Sequence, residues 1–435
     1  MLIPGENYRH LPLATDIEFM KRHLENGLSE AWDRPVVLHD FFVPKVLLGK
    51  NESLLIQYQF STYDYQQQRE NWNFFGQLIP INQKFRQSEN SQQFIINSDL
   101  RLIVSVFPYD RKLRHLASFA KANGRLEALA DIADVCDLAV EGVQVLAYRP
   151  ERRAVLRLNL SRGLASTSVI AKLGQPKKLP SIFAKFRALA ENGFHSNASD
   201  TITVPRPLAY IPGKAILFED VPGVSLHDAI GQPDFADGCG QAAQALKKLH
   251  RTRITDLPHY GTDDEIELLR SITARCADIY PQLEERLKQS LRLIEQTKPV
   301  NATEEPVVIH RDFYDKQVII DEQRTTLLDI DTMSLGDAAL DVGNFLAHLQ
   351  FRGKQMPEHA DSLKDGHRSF VETYNSQPSL FWKRASWWQT ATLLRLYCLY
   401  CLRPPWHDLM TRCSPPLEIM SMELPSLLTT ARTLA

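Results

Sequence analysis

From about Ala14 to Trp32 the apolar positions Ile17, Phe19, Met20, Leu24 and Leu28 recur at near-helical intervals, which predicts an amphipathic helix. The pattern then changes period. KVLLG, KNE and SLLIQYQF read as two apolar runs around a turn, and QQFIINSDLRLIVSVF as two more. Between these pairs, residues 63–93 are so rich in Gln, Asn and mixed charge that they predict an exposed, irregular or mobile excursion. A β-rich unit closing near residue 110 follows from this pattern, with a helical connector over HLASFAKANGRLEALADIAD, 115–134.

Beyond Gly142 the runs VQVLAY, AVLRLNL and SVIAKL are separated by RPERR and SRGLAST, and predict three strands joined by turns. LPSIFAKFRALAENG predicts a helix that Gly193 stops, and VPRPLAY and KAILFEDV supply two more strands. The expectation is a five-stranded antiparallel sheet with one helix inserted after its third strand. After VPGVSL the chain turns mainly helical to about Leu402, interrupted by VVIHRD and the hairpin-like QVIIDEQRTTLLDID. The predicted units are 1–140, a β-rich cap with flanking helices; 141–225, a sheet-based lobe; and 226–435, a mainly helical lobe.

Composition narrows the classes. The chain has 435 residues, 50 Lys and Arg against 52 Asp and Glu, 44% hydrophobic and 23% charged residues, which is ordinary globular usage and disfavours both a disordered chain and a nucleic-acid coat. Six cysteines are too sparse for a disulfide framework. The start MLIPGENYRH lacks a cationic and then apolar leader, and no run reaches the roughly 18 apolar residues of a membrane span. Neither a nucleic-acid nor a membrane partner is expected, the expected compartment is the cytoplasm, and the oligomeric state is left open.

The chemistry concentrates in residues 307–349. An apolar strand VVI delivers His310, Arg311 and Asp312 into a loop, QVII leaves it, and TLL ends at Asp329. Strand ends thereby converge two carboxylates, Asp312 and Asp329, and the amide of Gln317. Such oxygen donors suit Mg²⁺, a hard cation that keeps waters and completes its shell with substrate phosphates. Phosphoryl transfer needs that metal and a carboxylate that orients the attacking hydroxyl and accepts its proton.

HRDFYDKQ, LLDID and GDAALD, in this order, resemble the aminoglycoside phosphotransferase and choline kinase branch of the protein-kinase-like superfamily. Lys172 in VIAKL, the hinge-like ILFEDVPGVSL and the helix ALKKLH extend the resemblance over about residues 142–350, and the first 140 residues loosely resemble a maltokinase- or glucosamine-kinase-like cap. The resemblance implies an α+β, bilobal kinase-like fold and an ATP-dependent small-molecule kinase using Mg²⁺. It assigns Asp312 as catalytic base, Gln317 and Asp329 as metal ligands, Lys172 as the cation on the α- and β-phosphates, and Glu219, Asp220 and Val221 as the adenine-side backbone. The chain departs from the pattern in three places. Gln317 replaces an Asn, RPERR with Arg149, Arg152 and Arg153 replaces a Gly-rich phosphate loop, and no acid lies between Lys172 and Glu191 to pair with the lysine.

The implied acceptor is a hydroxyl of a small polar molecule, with a sugar or amino sugar foremost. Two alternatives stay open: a nucleotide-binding pseudokinase with a protein partner, and a kinase of a bulkier acceptor such as an antibiotic or lipid-linked glycan. His310 is read as a residue that shapes the loop, and Asp337 and Asp341 as loop-bracing acids. Asp331, placed on one strand face with Asp329, either assists the metal or caps the next turn. Cys398 and Cys401 read as buried structural thiols. Trp382, Trp387, Trp388 and Trp406 are candidates for a sugar platform or for plain burial, and Asp361, Asp365 and Glu372 for amine binding or a solvated helix face.

Overall fold

The structure is a computed structural model that describes residues 2–64, 67–86, 93–121, 124, 137–162, 165–299, 305–374 and 378–412. Helices α1 (Leu11–Ala14) and α2 (Ile17–Ala31) open the chain; the Asp16 carboxylate caps α2 by accepting from the Phe19 N–H at 2.7 Å. Met20, Leu24 and Leu28, four residues apart, turn the apolar stripe of α2 inward. Strands β1 (His39–Leu48), β2 (Leu54–Tyr63), β3 (Arg69–Leu78), β4 (Phe94–Asn97) and β5 (Leu102–Ser105) form an antiparallel sheet in the order β1-β2-β3-β5-β4. Its helix-facing side buries Tyr58, Phe60 and Phe74, and the Tyr58 hydroxyl donates to the Ala14 carbonyl at 2.8 Å.

The excursion expected over 63–93 is corrected here. β3 runs through its middle and pairs with β2 along ten residues. Its polar content misled because the amides answer one another across the sheet. Asn73 Oδ1 accepts from Gln57 Nε2 at 2.8 Å and from Gln59 Nε2 at 2.5 Å, while Phe74 and Phe75 are buried on opposite faces. Residues 65–66 and 87–92 of that stretch lie outside the described residues. Of the 115–134 connector, helix α3 (Leu116–Ala120) is described, whereas 122–123 and 125–134 lie outside the described residues.

A second antiparallel sheet is built from β6 (Ala139–Arg149), β7 (Arg153–Arg162) and β8 (Ala165–Gly174), followed by α4 (Leu179–Glu191), the short β9 (Ile202–Thr203), β10 (Pro207–Ile211) and β11 (Ala215–Glu219). The order is β10-β11-β8-β7-β6, with α4 inserted after the third strand as expected. One face buries Leu156, Leu158, Leu173 and Leu217 under Leu116 and Phe119 of α3. The other packs Phe218 on Phe186 of α4, ring centroids 4.5 Å apart. Gly193, at φ 89°, closes α4 in a conformation that a side chain would strain.

The remainder is mainly helical: β12 (Val224–Ser225), α5 (Phe235–Arg251), β13 (His259–Tyr260), α6 (Thr262–Ile279), α7 (Glu284–Gln296), β14 (Val307–Ile309), β15 (Val318–Ile320), β16 (Thr325–Leu327), β17 (Ser334–Gly336), α8 (Ala338–Gln355), α9 (Ala360–Tyr374), α10 (Ser379–Cys401) and α11 (His407–Arg412). α5 packs on α9 and α8 on α10, and the strands form two small sheets, β12-β15-β16-β9 and β13-β17-β14. Among the described residues no helix is long and apolar enough to cross a membrane.

The first sheet is tied to both of the other units. Arg275 of α6 donates to the carbonyls of Gly49 at 2.9 Å and Ser53 at 3.1 Å in the β1–β2 turn, and the Gly5 N–H donates to the Ile279 carbonyl at 2.9 Å. On the opposite side Phe75 meets Tyr148 of β6 edge to face at 5.5 Å.

Candidate active site

β14 ends where the loop of residues 310–317 begins, and a buried carboxylate holds that loop. Asp341 of α8, fully buried, accepts from the His310 N–H and the Arg311 N–H, both at 2.7 Å, and lies 3.1 Å from His250 Nε2. These bonds offset a strained backbone, since Arg311 sits at φ 71°. The Arg311 guanidinium stacks on Tyr260 at 3.6 Å rather than reaching into the cleft. His310 Nε2 lies 2.8 Å from the Leu328 carbonyl, which couples the loop to the segment after β16 that ends at Asp329. Asn344 Nδ2 donates to the Phe313 carbonyl at 2.8 Å and fixes the next residue along.

Further on, Asp315 is fully buried between His227 Nδ1 at 2.5 Å and Arg352 Nε at 3.0 Å. Burial opposes its ionisation, but the His227 hydrogen bond and the Arg352 charge hold its carboxyl well below the usual range. Neighbouring His348 stacks on Tyr314 at 4.3 Å and is pushed down to about 3 by burial. Its folded value lies below the ordinary value of 6.5, so the unfolded chain takes up the proton first. Stability should therefore fall as pH drops below about 6.5, by on the order of 1 kcal/mol per pH unit. His348→Asn should flatten the decline of melting temperature with acid between pH 6 and 4; an unaltered slope would exclude His348 as its source.

Asp329 ends the segment after β16 in the left-handed region, φ 50° and ψ 48°. Arg153 Nη1 donates to both its oxygens, at 2.8 and 2.6 Å, and Lys172 Nζ to Oδ1 at 3.1 Å. Lys172 also donates to Asp331 Oδ1 at 2.5 Å, and Lys185 of α4 to the Asp331 carbonyl at 2.7 Å. Burial works against ionisation of Asp329, yet the Lys172 and Arg153 charges carry it well below the usual carboxylate range. The expectation that Asp329 and Asp331 share one strand face is corrected: a 3₁₀ turn over Ile330–Thr332 follows the left-handed Asp329. That turn brings both acids to Lys172, whereas Glu191 of α4 pairs with Arg187 at 3.1 Å.

Two adjoining cavities lie along this line. One of about 470 Å³ is lined by Val155, Lys172, Glu219, Val221, Gln317 and Asp329, and one of about 500 Å³ by Arg149, Arg152, Lys177, Asp312, Asp329 and Asp331. Lys172, Arg153 and Asp329 belong to both, so the carboxylates of 312 and 329 open into one space. Gln317 is buried in the 3₁₀ turn Asp315–Gln317, and its carbonyl accepts from the Leu328 N–H at 2.8 Å, which draws it towards Asp329. The segment Glu219 to Val221 is more constrained than its sequence suggests. The Glu219 N–H already donates to the Arg206 carbonyl at 3.1 Å, and the Asp220 side chain faces Arg157 Nε and Ser168 Oγ, each at 2.6 Å.

The Arg149–Arg153 turn is held by side chains outside it. Asp110, from the stretch after β5, accepts from the Glu151 N–H at 2.7 Å and the Tyr148 hydroxyl at 2.9 Å, and Lys112 pairs with the Glu151 carboxylate. Gln175 Nε2 donates to the Glu151 carbonyl at 2.8 Å, and Glu151 itself is left-handed at φ 57°. A non-glycine turn is thus held from outside. Nothing in RPERR signals Asp110, which stands some 40 residues away.

Other candidates lie elsewhere. Trp387 Nε1 donates to the Ile294 carbonyl at 3.0 Å and Trp388 Nε1 to Asp337 at 3.3 Å, both rings being buried, so neither is a sugar platform. Trp382 and Trp406 pack partly buried against the core. Cys398 and Cys401 are buried thiols beside Cys276. Asp361 and Asp365 are on the exposed face of α9, paired locally with Lys364 and Arg368. Asp337 caps α8 and pairs with Arg384 at 2.9 Å.

Residues 141–371, more than half of the chain, match the phosphotransferase enzyme family. The chain belongs to that family. It is a phosphotransferase of the small-molecule kinase type, with the kinase-like fold. Among solved structures it is similar to spectinomycin phosphotransferase in complex with ADP and spectinomycin (12% identity, 68% of this chain and 90% of that one, TM-score 0.46). It is also similar to glucosamine kinase in complex with glucosamine, ADP and inorganic phosphate (15%, 88% and 94%, 0.44). A third is a choline/ethanolamine kinase family protein from Mesorhizobium loti (12%, 65% and 82%, 0.41). No curated protein matches this phosphotransferase.

Proposed function

We propose that this phosphotransferase moves the γ-phosphoryl group of ATP to a hydroxyl of a small polar acceptor, a sugar or sugar derivative. The observation that carries this reading is the single space between the lobes into which Asp312 and Asp329 both open, with Lys172 and Arg153 at its edge. Asp312 orients the acceptor hydroxyl and takes its proton as the oxygen bonds to the γ-phosphorus; the bond from that phosphorus to the β-bridging oxygen breaks, and ADP leaves with the electron pair. Lys172 and Arg153 neutralise the phosphate chain, and Glu219 to Val221 line the nucleotide end of the cleft. Arg152 stands at the phosphate end.

The donors present suit a hard divalent cation. Asp329 offers two carboxylate oxygens and Gln317 an amide oxygen on the same cavity wall, and these residues would hold Mg²⁺, which shields the developing phosphate charge when bound. Both Asp329 oxygens accept from Arg153, so a cation held there would compete with the guanidinium, which could turn from the carboxylate to the phosphates. Asp331 would then remain as the anchor of Lys172. Asp331→Asn should therefore weaken productive nucleotide binding by roughly 10- to 100-fold in kcat/KM, the worth of a charge-assisted hydrogen bond. An unchanged nucleotide KM would remove Asp331 from this role.

The test is ADP release from MgATP across sugars, sugar acids, sugar phosphates, amino sugars, amino alcohols and aminoglycosides, beside the melting-temperature shift on MgATP. Release with one acceptor class is expected. Absence of any MgATP-induced shift would overturn the reading.

A further inference from the structure

Cations from four parts of the chain converge beside the loop that carries Asp312. β1 presents Lys45, the β6–β7 turn Arg149, the segment after α10 Arg403, and the loop itself the exposed Lys316. All three of the others act electrostatically on Lys45, and β1 packs directly on the turn Pro404–Trp406. Lys45, Arg149 and Arg403 are half-buried. The Nε atoms of Arg149 and Arg403 are buried without a hydrogen-bond partner among the described residues.

Neighbouring arginines show the contrast. Arg352 has Asp315 at 3.0 Å and Arg395 has Glu265 at 3.2 Å, whereas no ion pair with a described residue is formed by Lys45, Arg149 or Arg403. Arg403 lies over the Tyr400 ring at 3.8 Å, which fixes its plane without supplying a full charge. Like charges gathered where water is partly excluded oppose one another. Burial and then Arg403, Lys316 and Arg149 carry the Lys45 ammonium below its ordinary value, and burial with Arg152 and Arg153 pushes Arg149 down to about 10. Buried polar groups left without partners call for an explanation, and an anion that arrives with a ligand relieves both the repulsion and the unmet donors.

The nucleotide's own phosphates do not account for the whole cluster. Lys45 and Arg403 line neither cavity that holds Lys172 and Asp329, whereas Arg149 borders the cavity of Asp312 and feels its charge. The cluster thus reaches from the cavity of Asp312 to residues that border neither space. We propose that Lys45, Arg149 and Arg403 form a subsite for an anionic group, a phosphate or carboxylate, carried by the acceptor. The assignment rests on the phosphotransferase reading above and narrows its acceptor to an acidic or phosphorylated sugar-like molecule. A polycationic antibiotic or an amino sugar would meet repulsion there.

The first arm of the test uses inorganic phosphate as probe, added to the full chain at saturating MgADP and read by melting temperature. Phosphate should raise the melting temperature beyond the MgADP shift. Lys45→Gln and Arg403→Gln should each weaken that response roughly tenfold or more while leaving the MgADP shift itself in place. A phosphate response that is missing, or that survives both substitutions, overturns the subsite. A parallel loss of the MgADP shift also overturns it, by assigning these cations to the nucleotide. The second arm compares kcat/KM for glucose, glucosamine, glucose 6-phosphate and glucuronate. Higher values for the two anionic members, lowered towards the neutral sugar by Lys45→Gln, support the proposal. Equal or better use of the neutral or amino sugar overturns it and leaves the phosphotransferase reading standing.

Discussion

Asp312→Asn should lose about 10²- to 10⁴-fold in turnover, the usual worth of a positioned general base, while MgATP still raises the melting temperature. The expectation rests on how the loop is held. Its geometry depends on Asp341 through the N–H groups of His310 and Arg311, and on Asn344 through the Phe313 carbonyl, none of which uses the Asp312 side chain. The Asp312 carboxylate is half-buried and opens into the shared cavity, so an isosteric amide removes the proton acceptor with little cost to the fold. ADP release at saturating acceptor measures the loss, and turnover equal to that of the unaltered protein would take Asp312 out of the mechanism.

The second large effect belongs to Asp329, where the replacement has to respect the backbone. At φ 50° an alanine would add conformational strain, whereas asparagine tolerates the left-handed region and keeps the shape. Asp329→Asn removes the carboxylate that Arg153 grips twice and Lys172 once, leaving both cations with Asp331, 3.8 and 2.5 Å away. Metal dependence of nucleotide binding should disappear, with turnover down by on the order of 10²-fold or more, as for loss of a group that stabilises transferring phosphate charge. Uncompensated charge in a buried pair typically costs about 3–5 kcal/mol; with Asp331 retained, the melting temperature should fall only moderately. The sign with pH is set by the depressed carboxyl. Its contribution is present above the ordinary carboxylate range and is lost as acid protonates it, so the unaltered protein and the variant should converge in stability at low pH. A variant that keeps full magnesium-dependent nucleotide binding would break the assignment of Asp329.

Which parts of this could be read along the chain depended on how local the determinants are. The second sheet was legible because each strand is a short apolar run bounded by its own turn, and α4 because Gly193 closes it. β3 was not, since its stabilising contacts are amides on the neighbouring strand that individually look like solvent-facing residues. The ordered set around Asp312 and Asp329 was visible as a motif, and the shared cavity agrees with the convergence read from it. What stayed hidden were partnerships across long separations: Arg153 on Asp329, Asp331 on Lys172, and Asp110 on the turn at Glu151. Local periodicity carries no record of such pairs. The strand geometry that its spacing predicts for Asp331 is ruled out by the left-handed Asp329.

The opening sheet, fastened to α6 through Arg275 and to the Arg149–Arg153 turn through Asp110, acts as a brace across the cleft. An enzyme whose halves are joined only by a hinge can open wide to discharge its product. Here such a swing would have to break bonds at one end of the brace.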